Sequence, residues 1–148
     1  MRAKHSVRPF RHESRGFTLI ELMVVVVVLG IIAAIAYPAY TKQINRTRRS
    51  DAVAALGILQ QAQERYRANS QVYADTLELL KMDSHSPKKY YVIAIQQAGP
   101  TGYTITATAA SGGLQANDAE CTGFTLTMNG ANITTSATGS NPANCWPK

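Results

Sequence analysis

One acid stands inside the longest apolar stretch of this chain, and it is the first residue that asks for a chemical explanation. Glu21 follows Phe17-Thr18-Leu19-Ile20, and no charged residue occurs after it from Leu22 to Tyr37. An ionised carboxylate in hydrocarbon costs roughly 2.5–3.5 kcal/mol on insertion scales, so Glu21 requires a cationic partner. The alternative is an ordinary signal anchor whose Glu21 reaches back to lipid headgroups. Two cysteines, Cys121 and Cys145, lie near the C-terminus. Their position fits a disulfide made in an oxidising compartment. It would close a loop of 23 intervening residues, worth roughly 3 kcal/mol in the chain-entropy model. The alternative is a pair of free thiols. Histidines at 5, 12 and 85 are scattered and give no zinc ligand set. Asp118 and Glu120 are the only nearby acids in the C-terminal half, too few for the roughly six to eight oxygens calcium takes. No paired carboxylates, Gly-rich phosphate loop or Ser/His/Asp set occurs at workable spacing. Neither an enzyme nor a cofactor nor a metal site is expected.

The elements that position these residues follow from periodicity. The apolar run of about twenty residues spans a bilayer as a helix at ~1.5 Å per residue. In lipid it has to stay helical despite Val24 to Val28, because an unpaired backbone group there has no water to bond. Gly30, Ala33, Ala34 and Ala36 are small enough for close helix approach. Pro38 lacks an amide hydrogen, which predicts a kink or a local loss of helix over 34–38. Beyond Tyr40 the helix is expected to run to about Asn69. Ile44, Val53, Leu56, Leu59, Gln63 and Tyr66 mark its buried face. Arg46, Arg48 and Arg49 read as a solvated or headgroup-facing collar. Residues 71–86 then form a polar loop with a short helical stretch over 76–82, and His85 reads as a surface residue. Alternating runs predict strands at 89–96, 103–109 and 124–128, with a short fourth at 133–136. Asn129-Gly130 supplies a hairpin turn.

A chain of 148 residues holds one domain plus a stem. Its formal charge of +6 suggests a nucleic-acid binder, but the charge is unevenly placed. Residues 1–16 carry five basic residues against one acid, 17–50 four against one, and 51–148 six against seven. Within that near-neutral last part, Lys81, Lys88 and Lys89 form a candidate DNA patch. Residues 1–16 lack an apolar face and read as a targeting segment.

Arg15-Gly16-Phe17-Thr18-Leu19-Ile20-Glu21 resembles the class III signal of type IV pilins and pseudopilins. The resemblance implies that a prepilin peptidase cuts between Gly16 and Phe17, leaving 132 residues, and N-methylates the new Phe17 amine. A glycine there lets the peptidase approach the backbone. The amine then lies four residues from Glu21, nearly on one helix face. In a filament, Glu21 of one subunit can pair with the Phe17 amine of its neighbour. Leaving either buried charge alone costs several kcal/mol, which makes the pair a register device.

Tyr37-Pro38-Ala39-Tyr40, Arg49-Ser50-Asp51-Ala52, Gln63-Glu64-Arg65-Tyr66, Gly102 to Ala107 and Cys145-Trp146 look like minor type IV pilins of the PilE class, close to the competence minor pilins. The resemblance implies an α+β type IV pilin fold. Its parts would be a leader at 1–16, a membrane or filament-core helix at 17–40, an amphipathic continuation at 41–69, and a head at 70–148 with about four antiparallel strands and a disulfide loop. It further implies a low-abundance pilus subunit that supports twitching motility and adhesion. Its partners would be other pilins, the peptidase, the inner-membrane assembly machinery and lipid, with its head in the periplasm or on the extracellular pilus. A pilus-borne DNA receptor and a secretion pseudopilin are the alternatives; the latter usually lack this disulfide and often carry calcium.

Overall fold

The fold is that of a computed structural model, which describes residues 16–147. The expected leader before Gly16, and Lys148, lie outside those residues. A single long helix, α1 (Leu19–Arg67, 49 residues), is the first element of the described residues. It begins there because Thr18 caps it: the Glu21 amide donates to Thr18 Oγ1 at 3.2 Å. A threonine three residues ahead of a glutamate is the sequence of a capping box, so the stretch read as a processing signal also encodes a helix start. At the other end Arg65 and Arg67 oppose the negative pole of the helix dipole. The Asn69 and Ser70 amides close onto Tyr66 and Arg67 carbonyls and tighten the last turn.

Pro38 lies inside α1, and the helix runs through it without interruption. Of the two outcomes expected at Pro38, a kink or a loss of helix over 34–38, the loss does not occur. Proline removes one amide donor, while the flanking turns keep their own bonds.

The chain divides into two units between Ala39 and Tyr40. In the first, the apolar side chains of α1 face outward: Leu19 is 78 % exposed and Ile35 72 %. By length and composition this part of the helix is able to cross a membrane.

The second unit holds the core. Four strands follow α1: β1 (Tyr91–Ala98), β2 (Gly102–Ala109), β3 (Gly123–Asn129) and β4 (Asn132–Thr138). They form an antiparallel meander in the order β1-β2-β3-β4. Alternation puts Tyr91, Ile93, Tyr103, Ile105, Ala107, Phe124 and Leu126 on the inner face. There they join Ala52, Ala55, Leu56 and Leu59 of the helix in one apolar cluster. The β3–β4 connection is Gly130-Ala131, with φ +60° at Gly130 only. That pattern, glycine at the first central position, suits a tight hairpin turn.

Three local expectations need correction. β1 starts at Tyr91 rather than Lys89, because Lys89 has φ +60° and its amide closes a turn onto Ser86. The 76–82 stretch is a series of turns, ended by Lys81 at φ +54°. The loop containing it is not merely polar. Tyr73 and Ala74 are buried, and Leu77, Leu80 and Met82 pack on the core.

Candidate functional site

The N-terminal residues that carry the processing and registration readings are open to solvent. Gly16 and Phe17 precede the helix, Phe17 is 82 % exposed, and a side chain at Gly16 would meet nothing within 4 Å. Glu21 lies in the first turn of α1. Among the described residues no ion pair includes it.

The acids of the second unit behave differently. Arg49 is buried, not part of a solvated collar: its Nε donates to Asp118 Oδ2 and its Nη2 to Asp118 Oδ1, both at 2.7 Å. A further bond of 3.0 Å reaches Glu120. The side chains of Arg49 and Asp118 keep only 7 % and 2 % of their exposure. The Asp118 hydrogen bonds push the Arg49 pKa up, outweighing the downward pull of burial. Gln115 Nε2 donates to the same carboxylate at 2.6 Å, so Asp118 is satisfied from two sides. The signal for this pair is present in the sequence. Arg49, Ala52, Leu56, Leu59 and Gln63 follow a three-four-three-four spacing, and all five are buried.

Two more polar residues of α1 act as pegs for loops. Asp51 is buried; it accepts from Ser86 Oγ at 2.6 Å and from the Lys88 amide at 3.1 Å. Gln63 grips the backbone of Ala74 with both ends of its amide, at 2.7 and 2.9 Å. Sequence reasoning placed Gln63 on the buried face but gave Asp51 no role. Cys121 and Cys145 form the disulfide, tying the segment before β3 to the C-terminal loop. Trp146 stacks edge-on against Phe124 beside it.

Lys81, Lys88 and Lys89 are all exposed, but they do not form one patch. The Lys88 amide is bonded to Asp51, whereas Lys81 lies beside Ala62, Arg65 and Asn69. The fourteen helical steps from residue 51 to residue 65 separate the two places by about 20 Å. Lys88 and Lys89 instead gain Arg48, whose guanidinium lies 5.3 Å from the centre of the adjoining Tyr90 ring. His85 is on the surface and paired with Asp83 at 3.4 Å, a contact that lowers the Asp83 pKa. Among the described residues no group of histidines, cysteines and acids could hold a metal ion.

A family model described as type IV minor pilin ComP, DNA uptake sequence receptor, matches residues 38–125. The chain belongs to this type IV pilin family. A second model, the prokaryotic N-terminal methylation motif, matches residues 11–37. Among curated relatives, fimbrial protein EcpC of Eikenella corrodens is 35 % identical over 100 residues, 68 % of this chain and 65 % of that protein. Type IV major pilin protein PilA of Myxococcus xanthus is 44 % identical over 69 residues, covering 47 % of this chain and 31 % of PilA. Type IV major fimbrial protein FimA of Dichelobacter nodosus is 59 % identical over 39 residues, or 26 % and 24 %. The matches thus cover less than two thirds of each of these pilins. The long apolar helix, four-stranded antiparallel sheet and C-terminal disulfide are those of the type IV pilin fold, and the family is not an enzymatic one.

Proposed function

We propose that this pilin is a minor subunit of a type IV pilus, built into or priming the filament that serves twitching motility and adhesion. The observation that carries the reading is a first unit whose helix exposes apolar residues from Leu19 to Ile35, with one acid near its start that has no ion-pair partner among the described residues. Such a surface needs lipid first and packed helices afterwards. Prepilin peptidase cuts between Gly16 and Phe17 and methylates Phe17. The Phe17 amine then meets Glu21 of the adjoining subunit, other pilins being the partners and the inner-membrane machinery the assembler. Thr18 remains to cap the helix after the cut. A Glu21→Ala variant keeps normal cleavage but appears in sheared pili at a tenth of the wild-type amount or less, read by quantitative blotting. Normal incorporation overturns the registration role, and a mature chain that retains residues 1–16 overturns the processing.

A second reading, a pilus-borne DNA receptor, gains support from how the charges are arranged. Between residues 40 and 147, two of seven acids (Asp51 and Asp118) are buried and Glu120 is bonded to Arg49. Of nine basic residues only Arg49 is buried. The surface is therefore more basic than the formal sum. Arg48, Lys88 and Lys89 around Tyr90 are the proposed contact, with Lys81 a separate one. Phosphate neutralisation makes binding salt-dependent. In a gel shift with the detergent-solubilised chain, Lys88→Glu/Lys89→Glu weakens DNA binding about tenfold or more and lowers the salt slope by about two. No shift at low salt removes this reading and leaves the structural one intact.

A further inference from the structure

Arg49 uses its guanidinium unevenly. Its Nε and Nη2 donate to Asp118, and Nη2 reaches Glu120 as well, while Nη1 donates to no described residue. A buried guanidinium nitrogen with its N–H groups unspent is costly unless something else accepts from them. Arg49 also lines a pocket of about 210 Å³ between α1 and the C-terminal loop, together with Arg46, Asn144 and Trp146.

No acid lines this pocket. Asp118 and Glu120 bind Arg49, and Glu120 also lies 4.0 Å from Lys42. Three cations, Lys42, Arg46 and Arg49, therefore stand against two carboxylates, and one positive charge is left over. Arg46 carries it: the side chain is exposed and makes no hydrogen bond or ion pair among the described residues. Asn144 Nδ2 spends one hydrogen on Asn141 at 3.1 Å and has a second to give. The Trp146 indole donates to the Ser136 carbonyl at 2.8 Å and packs edge-on against Phe124, while Cys145 beside it is tied to Cys121. The wall of the pocket is thus set before any ligand arrives, which lowers the cost of binding.

We propose that this pocket binds a phosphate group, held by the Arg46 guanidinium, Nη1 of Arg49 and the second Asn144 N–H, with Trp146 as its wall. Planar guanidinium forks match phosphate oxygens, and each such bond is charge-assisted. The position along α1 favours a lipid headgroup as the source of the phosphate. Arg46 follows Tyr40 by six residues, about 9 Å along the helix, and Tyr40 ends the exposed apolar run. Tryptophan and tyrosine belong at headgroup level, and basic side chains there attract anionic lipid.

Trp146 is the single tryptophan of the chain, so its fluorescence reads the pocket directly. The full-length chain in neutral detergent is titrated with dihexanoyl phosphatidylglycerol and, separately, with inorganic phosphate at constant ionic strength. Trp146 emission should shift saturably. Arg46→Gln should weaken the apparent affinity about tenfold or more and keep the wild-type melting curve, since Arg46 has no partner among the described residues to lose. Arg65→Gln removes the same charge from the last turn of α1 and should titrate as wild type. Saturation by the lipid at concentrations where inorganic phosphate has no effect assigns the site to a headgroup, and saturation by inorganic phosphate at equal concentration assigns it to free phosphate; both support a phosphate pocket. No saturable change with either probe, an Arg46→Gln variant that titrates as wild type, or equal weakening in Arg46→Gln and Arg65→Gln would each overturn the proposal. None of these outcomes depends on pilus assembly, so the reading of the chain as a filament subunit stands or falls separately.

Discussion

The two units of this pilin treat charge and apolar surface in opposite ways. In the first, apolar side chains are exposed along the helix and the one acid, Glu21, pairs with no described residue. In the second, the apolar groups of helix and sheet meet each other, and Arg49 meets Asp118. A carboxylate removed from water needs a counter-ion within the same low-dielectric space. One unit finds it within the chain, and among the described residues the other does not. The difference teaches that the second unit satisfies its buried charges from within, whereas the apolar stretch of α1 keeps an acid with no partner among the described residues. Substitutions at the head's charges should therefore alter folding stability, and those at Glu21 should alter assembly, with little crossover.

The sharpest way to break that division is at Arg49. Arg49→Met leaves Asp118 buried without its cation and should cost about 3–5 kcal/mol, read by urea denaturation in detergent. Replacing both partners, as in Arg49→Met/Asp118→Leu, should regain most of the loss, because an apolar pair of similar volume carries no desolvation penalty. If the single variant instead keeps its stability and loses filament incorporation, Arg49 serves an interface and the head is not self-sufficient.

How this pair escaped the sequence reading shows what residue types alone can carry. The strands at β2 and β3 were legible because alternating threonine and apolar residues leave no other register. The disulfide was legible from two cysteines and their position. Adjacency groups Arg49 with Arg46 and Arg48, although its spacing to Leu56 and Gln63 puts it on the core stripe. An arginine at a core position becomes meaningful only when an acid is known to face it, and Asp118 lies 69 residues away. Asp51 was hidden for the same reason, its partners Ser86 and Lys88 being loop residues. The lysines illustrate the reverse error. Sequence proximity grouped Lys81 with Lys88 and Lys89, while the turns of the loop and a left-handed Lys81 send it toward the end of α1.

A smaller effect sharpens the view of the head as a closed core. Tyr103 is 2 % exposed, packs edge-on against Tyr73 at 4.8 Å, and its hydroxyl has no hydrogen-bond partner among the described residues. Burial pushes its pKa up, with Glu64 and Tyr73 adding to the shift. A phenol whose folded pKa exceeds its unfolded one contributes stability that is whole below the unfolded value and is lost as pH rises toward the folded value. From about pH 10 upward, Tyr103 should remove up to ~1.4 kcal/mol of stability per pH unit. Tyr103→Phe should leave stability at neutral pH nearly unchanged, since no hydrogen bond is broken. Above pH ~10 it should flatten the decline by that one increment, while Tyr91, shifted the same way by burial, keeps its own. Urea midpoints measured across the alkaline range decide the matter. Equal slopes for the two proteins would mean that water reaches the Tyr103 hydroxyl, and that the core beneath β2 is open where the packing closes it.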